Sequence, residues 1–549
     1  MSKYESPWLQ ASCLSVGNIL SIKKLGYASY SSPEVSATSS KSQIAMGSEI
    51  DVDEFMADSN VKKETLITIN DLPNDILLII FGYCHPIDLI HCFSLVSHRW
   101  NCLANHPAFF TEVRILINDF SLKYGSVKTF FHRTSQYLRK LCINCSIRLP
   151  SAEVNALFDI CFPYVIHLDI KMNATLLRKL SNCFPNVQTL HMENMEWTSS
   201  CDDSKDEWVT LKTLFEEENV FPKMENFFLC DINCYTPEND PKLPLYKRPL
   251  NLLHIYEGTP YINNIITSPW RSTLTELHLG YYTIDGSLEY VGYLHNLKVF
   301  SWGLSLYTLD EEFAHLKNLC NLEELRVWFG GEDCSVSPEG LIALFTLPEK
   351  EPEKSFPFKL KHLVFANYFE GNVDLFKAID RNCPNLTTLG LPYNEYFAFS
   401  DRVMPFIVTH FKRLVSLDLS HFGHCYKDEV WNNLKDDDLP NLRLLKLHGN
   451  KTNVENLRRL NLRRPKLLIS YKRNYFINWT RSKNSCIFHN TFDGDIGTIV
   501  NDLSQIDGLR DFTISSSCLY DFDNYHMKHS SSVDLDEFAT KCFNINHSV

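Results

Sequence analysis

From Leu138 onward the chain repeats one short pattern: an apolar residue, two free positions, an apolar residue, a free position and a third apolar residue. It recurs as Leu138/Leu141/Ile143, Val165/Leu168/Ile170, Val187/Leu190/Met192, Met224/Phe227/Leu229, Leu250/Leu253/Ile255 and Leu274/Leu277/Leu279. It continues as Leu297/Phe300/Trp302, Leu322/Leu325/Val327, Leu360/Leu363/Phe365, Leu386/Leu389/Leu391, Leu414/Leu417/Leu419 and Leu442/Leu445/Leu447, with a weaker unit at Leu509/Phe512/Ile514. In an extended segment side chains alternate between faces, so positions 4 and 6 point inward with position 1, while 3, 5 and 7 share the other face. The intervening stretches, such as Val373–Cys383, show the i, i+3/i+4 spacing of helices. No single unit can bury its apolar edge alone, so neighbours must stack into a continuous core.

Most first positions lie 22 to 28 residues apart and two intervals are 37 and 38; insertions are expected around 231–248 and 331–357. Leucine-rich repeats have a period of ~20–29 residues. Asn173, Asn394 and Asn450 stand at turns after strands, and Cys-Phe-Pro or Cys-Pro introduces units at Cys161, Cys183 and Cys383. That combination resembles the cysteine-containing subtype of leucine-rich repeat. The resemblance implies an α/β solenoid over about 125–515, a curved parallel sheet with helices on its convex side. Ile487–Val500 reads as one further degenerate unit within it.

The flanks differ in character. Residues 28–48 are dominated by Ser and are followed by the acidic stretch Glu49–Asp58. Neither can bury enough apolar surface to offset its ordering entropy, so 1–65 reads as a disordered tail and 516–549 as a polar one. Met1–Gly26 lacks the continuous apolar core of a secretory signal.

Between them, Leu72-Pro-Asn-Asp-Ile-Leu-Leu-Ile-Ile-Phe-Gly-Tyr83 predicts a short helix. Pro73 suits its first position, Asn74 and Asp75 complement its dipole, and Gly82 can end it. Ile76–Phe81 are apolar nearly all round, so this helix must be covered on two sides. Two more short helices follow, Pro86–Phe93 and about Leu95–Asn105, the latter with Val96, Trp100 and Leu103 on one stripe. They can cover only one side, and the remaining apolar surface asks for a partner.

Leu72-Pro73, Ile76, Phe81, Pro86-x-Asp88-Leu89, Val96-Ser97-x-x-Trp100 and Leu103-Ala104 resemble the F-box motif with its spacing kept. Three departures are mild: Asn74-Asp75 replaces the usual x-Glu, Cys84 stands where Leu is usual, and Phe109-Phe110 replaces a closing Trp. The resemblance implies a three-helix domain over 68–112 that docks a Skp-type adaptor and, through it, a cullin. Leu72, Pro73, Ile76, Ile80, Phe81, Leu89, Val96 and Trp100 then divide between adaptor contact and internal packing. It implies a non-catalytic substrate-recognition subunit of a ubiquitin ligase. The rival reading is a leucine-rich scaffold whose first helices merely cap the array.

Composition narrows the partners. The 53 Lys+Arg against 66 Asp+Glu give a net charge of −13, which disfavours nucleic acid. The longest apolar run, Ile76–Phe81, is far too short to span a bilayer. The 18 Cys are scattered as free thiols would be in a reducing compartment, cytoplasm or nucleus. No phosphate loop or His-Glu-x-x-His helix is present, and no cofactor or metal is expected. Cys142-x-x-Cys145 and Cys230-x-x-x-Cys234 have no second pair at zinc spacing. The basic run at Arg458, Arg459, Arg463, Arg464 and Lys466 reads as a solvated face of the last repeat or as a nuclear-import signal.

Position 5 of successive units forms one more pattern: Asp169, His191, Phe228, His254, His278, Ser301 and Arg326. Position 7 adds Glu193, Tyr256 and Trp328. Parallel strands lie ~4.8 Å apart, so these side chains should form an exposed column on the concave face. Exposed aromatics with His and Arg are what interface hot spots favour. A protein substrate is therefore expected at His191, Phe228, His254, Tyr256, His278, Arg326 and Trp328.

Overall fold

This computed structural model describes residues 68–82, 84, 86–117, 125–145, 156–171, 177–193, 213–230, 247–255, 268–279, 288–303, 309–329, 336–366, 368, 372–392, 402–419, 429–447, 453–464, 467–470, 487–488 and 499–500. The expected terminal tails, the weak unit at Leu509–Ile514, Asn173, Asn394, Asn450, Tyr256 and Cys234 lie outside them. Described residues up to His106 form one compact unit, and those from Pro107 onward a second.

The first unit holds α1 (Asn74–Gly82), α2 (Pro86–His91) and α3 (His98–Ala104). The carbonyl of Pro73 accepts the Leu77 amide, so the proline sits just outside α1, where its missing N–H costs nothing. Ser97 caps α3, its hydroxyl accepting the Trp100 amide at 3.1 Å. The cap sets the start of α3 at His98, so Val96 falls outside the helix instead of joining the stripe of Trp100 and Leu103. A short 3₁₀ turn, Phe93–Leu95, fills the space before it. The core is aromatic: the Phe81 ring meets Phe93 edge-on at 5.2 Å and Trp100 at 5.1 Å. Phe93 and Trp100 stack at 5.6 Å. Such pairs contribute ~0.5–1.5 kcal/mol each beyond their burial, which matters in so small a unit.

The second unit is a 14-stranded sheet whose strands follow chain order. They are β1 (Glu112–Ile117), β2 (Lys140–Cys145), β3 (His167–Lys171), β4 (Thr189–Glu193), β5 (Asn226–Cys230), β6 (Leu252–Ile255) and β7 (Glu276–Leu279). Then come β8 (Val299–Gly303), β9 (Glu324–Trp328), β10 (His362–Ala366), β11 (Thr388–Gly390), β12 (Ser416–Asp418), β13 (Leu444–Lys446) and β14 (Leu468–Ser470). The twelve units read from the sequence are β2 to β13. β1 carries the same pattern at Phe110/Val113/Ile115, all buried. Every pairing is parallel and in repeat register, so Leu141, Leu168, Leu190, Phe227, Leu253, Leu277, Phe300, Leu325, Leu363, Leu389, Leu417 and Leu445 form one buried row. Ile487–Phe488 instead pairs antiparallel with Ile499–Val500, so that stretch is not a further parallel unit.

Connecting helices form the second layer: α4 (Ser126–Thr134), α5 (Leu177–Cys183), α6 (Trp270–Thr273), α7 (Asp310–Ala314), α8 (Pro338–Leu344), α9 (Val373–Asn382), α10 (Met404–His410), α11 (Glu429–Asn432) and α12 (Val454–Arg463). α9 is the helix expected at Val373–Cys383; Asn372 caps it and Leu375, Phe376 and Ile379 face the core. The long 322-to-360 interval contains α8 and a 3₁₀ turn at Pro352–Lys354, so it is built structure within one repeat.

The Cys-Phe-Pro signature has a packing reason. Phe162 and Phe184 stack at 4.6 Å with planes 11° apart, while the Cys183 thiol donates to the Phe158 carbonyl at 2.9 Å. A second device ties neighbouring repeats together. Asn186, Asn296, Asn321, Asn385 and Asn441 each stand immediately before position 1, and each donates its side-chain amide to a carbonyl of the preceding repeat. The acceptors are Pro163, Ser272, His295, Phe358 and Lys412, at 2.6 to 2.9 Å. Lys223 and Lys359, at the same position, donate to the side-chain oxygens of Asn186 and Asn321. Each of the five asparagine bonds satisfies a turn carbonyl that the helix-to-strand reversal leaves open.

Candidate functional site

The first unit sorts its motif residues into two sets. Phe81, Leu89 and Trp100 are buried and form its core with Leu77 and Ile90. Pro73, Ile76 and Val96 are exposed, and Leu72 and Ile80 are half-buried. Two residues outside the expected set join the exposed ones: Ile79 is 57% exposed and Leu95 79%, beside Ile76 at 42% and Val96 at 57%. Ile76 and Ile79 are one helical turn apart and so share a face of α1. A 3₁₀ turn places Leu95 and Val96 outward, the feature that helical periodicity alone could not reveal. These four are half of the large apolar residues that stand exposed in the described structure. Exposed apolar residues concentrated in so short a segment make it a candidate interaction surface.

The expected concave column exists. Register places Cys142, Asp169, His191, Phe228, His254, His278, Ser301 and Arg326 on adjacent strands β2 to β9 in that order. Its exposure, however, is not as expected. His191, Phe228, His254, His278 and Arg326 are each 4 to 6% exposed. Trp328 lies on β9, and Tyr256 is outside the described residues. The column's side chains face one another: His191 meets Phe228 edge-on at 6.0 Å, Phe228 meets His254 at 6.1 Å, and His254 meets His278 at 5.2 Å. Side chains on neighbouring parallel strands stand close enough to bury each other once they are aromatic.

Charges in the column are paired internally. His191 Nδ1 lies 3.1 Å from Asp169 Oδ1, and the Cys142 thiol donates to Asp169 Oδ2 at 3.2 Å. His278 bridges Glu276 Oε1 at 2.8 Å and Ser301 Oγ at 2.7 Å through its two ring nitrogens. Arg326 pairs with Glu324, which is fully buried. His254 is the exception: its Nδ1 has no hydrogen-bond partner, and burial, with the nearby His278, His191 and Arg326, holds its pKa well below the ordinary value of 6.5. Burial likewise lowers the pKa of His167, at position 3 of β3. A paired, desolvated arrangement of this kind offers a partner little to contact.

Two other sequence features take structural roles. Cys142 belongs to the Asp169 network described above, and among the described residues no group of three or more His, Cys, Asp or Glu could hold a metal ion. Within the basic run, Arg463 donates to the carbonyls of Leu434 and Trp431, and Arg464 to those of Leu439, Lys435 and Asp438. These two guanidinium groups hold the preceding repeat's turn; Arg459 is exposed. Among the described residues no helix is long and apolar enough to cross a membrane.

Comparison with known proteins gives one family match: the F-box-like model aligns with residues 69–115. No curated protein sequence matches the chain. Among solved structures, a chain of the Rad7 and Elc1 complex in yeast is similar at 16% identity and TM-score 0.42, covering 72% of this chain and 92% of that one. The leucine-rich repeat-containing protein LegL7 of Legionella pneumophila gives 14%, 0.32, 59% and 89% for the same quantities. The Leptospira interrogans LRR protein LIC12759 gives 14%, 0.23, 66% and 96%. The fold stands on the sheet itself, whose fourteen parallel strands follow chain order with one apolar row shared by all repeats. The chain thus carries an F-box-like domain at residues 69–115, followed by an α/β solenoid of leucine-rich-repeat type.

Proposed function

We propose that this protein is the substrate-recognition subunit of a Skp–cullin–F-box ubiquitin ligase and performs no chemistry itself. The observation that carries the reading is the exposed set Ile76, Ile79, Leu95 and Val96 on a unit whose core is already closed around Leu77, Phe81, Leu89, Ile90, Phe93 and Trp100. That surface suits a Skp-type adaptor, which links to a cullin. The solenoid holds a protein substrate, and the ligase's other subunits bring charged ubiquitin to it. Rate then comes from proximity, since tethering raises the effective concentration of the substrate to the millimolar range or above.

Phe228 and the histidines of the central column present almost no area to a partner, which favours a substrate surface elsewhere on the solenoid. Co-purification of the full chain with a Skp-type adaptor and a cullin tests the reading, with the Ile79→Ala/Leu95→Ala variant beside it. A wild-type chain that recovers neither protein would remove the ligase reading and leave an interaction scaffold.

A further inference from the structure

The corner Asn70–Asn74 carries Leu72 and Pro73 between a 3₁₀ turn, Ile69–Asp71, and the start of α1. A second element holds it. Arg99, the second residue of α3, spreads its guanidinium across the corner: Nε donates to Asn74 Oδ1 at 2.8 Å, Nη1 to the Asn70 carbonyl at 2.6 Å and Nη2 to the Leu72 carbonyl at 2.5 Å. The adjacent Trp100 donates its indole N–H to Asn70 Oδ1 at 3.0 Å. Asp71 lies close enough for Arg99 to lower its pKa, although its hydrogen bonds from Thr68 are the larger cause. One side chain therefore bonds acceptors on both sides of Pro73, across 25 to 29 residues of sequence.

We propose that Arg99 is the positioning residue of the adaptor-binding face: it fixes the Leu72-Pro73 corner in its bound geometry before the adaptor arrives. The inference rests on the ligase reading above. The physical reason lies in the exposure of the parts. Pro73 and Asn74 are exposed, and Leu72 is only half-buried, so the corner has little core packing to hold it. Its carbonyls can turn to water if the arginine is lost, which keeps the cost to folding low. The freed backbone must then be ordered again on binding, which appears as lost affinity. A planar fork of donors meets three acceptors at once, and a lysine at 99 supplies only a point charge.

The test uses the full-length protein and a purified Skp-type adaptor. Hydrogen exchange is read on the free chain in peptides covering 68–76 and 86–95, for the wild type, Arg99→Ala and Arg99→Lys. Adaptor affinity is measured for the wild type, Arg99→Ala, Pro73→Ala and the double variant. The expected result is faster exchange in 68–76 alone, an affinity loss on the order of tenfold, no restoration by lysine, and a double variant little worse than the weaker single one. Unchanged exchange in 68–76, losses that simply add, or exchange that rises equally in 86–95 would each overturn the proposal. A wild type that binds no adaptor would overturn the ligase reading, and the exchange measurement would still decide whether Arg99 holds the corner.

Discussion

Ile79→Ala and Leu95→Ala separate docking from folding. Each removes three carbons, worth ~2.4 kcal/mol if fully desolvated at ~0.8 kcal/mol per methylene. Only the area now open to water can be gained from a partner, which is 57% of Ile79 and 79% of Leu95. Complete covering by an adaptor therefore places ~1.4 and ~1.9 kcal/mol at stake, about tenfold and about twenty-fivefold in Kd. If the two sites act independently, the double variant loses a few hundredfold. The part of each side chain already covered by the fold places only ~1.0 kcal/mol for Ile79 and ~0.5 kcal/mol for Leu95 at stake, so the double variant should lose no more than ~1.5 kcal/mol in thermal unfolding. Phe81→Ala behaves oppositely. It removes a fully buried ring in contact with Phe93 and Trp100, at a cost of ~3–5 kcal/mol in a unit too small to absorb it. Titration calorimetry against a Skp-type adaptor, with circular dichroism melts alongside, distinguishes the two classes. A double variant of unchanged affinity would refute the assignment of the exposed set as the docking surface.

Three further outcomes follow from the solenoid. His254 is neutral in the fold, with a pKa held below the unfolded value of ~6.5, so the unfolded chain binds the extra proton and stability falls as pH drops through 6.5. Urea unfolding of His254→Phe should therefore show a shallower pH dependence below pH 6.5 than the wild type; an identical slope would disprove the assignment. Arg326→Met takes an ion-pair partner away from the fully buried Glu324, which costs ~3–5 kcal/mol, whereas Arg326→Met/Glu324→Leu recovers most of it in thermal melts. Arg463→Ala/Arg464→Ala frees five carbonyl acceptors of the preceding turn, so hydrogen exchange should accelerate in β13 and β14. Unchanged exchange there, with altered nuclear import, would restore the targeting reading of that run.

The repeat was legible in the chain because one row of inward residues must match in every unit for neighbours to stack. A one-residue slip would turn Leu277 or Leu363 outward, so pattern and register are the same information. For that reason the order of His191, Phe228, His254, His278 and Arg326 along the concave face was also readable before any coordinates. The motif around Leu72-Pro73 was readable too, since spacing and apolar class carry it. What pattern could not supply was exposure. Whether position 5 is open or closed depends on the sizes of its neighbours on adjacent strands, and the rings of Phe228, His254 and His278 close it on one another. The antiparallel pairing of Ile487–Phe488 with Ile499–Val500 was hidden for a related reason, because short apolar runs do not announce their partner's direction. In the first unit the Ser97 cap decides that Val96 points outward, and the aromatic cluster of Phe81, Phe93 and Trp100 leaves Ile79 and Leu95 uncovered. The sequence alone determined the fold and the existence of an unsatisfied apolar surface, because periodicity dictates which residues must be buried. Only tertiary packing decided which residues form that surface and how the corner beside it is held, because cover, unlike period, is supplied by residues distant in the chain.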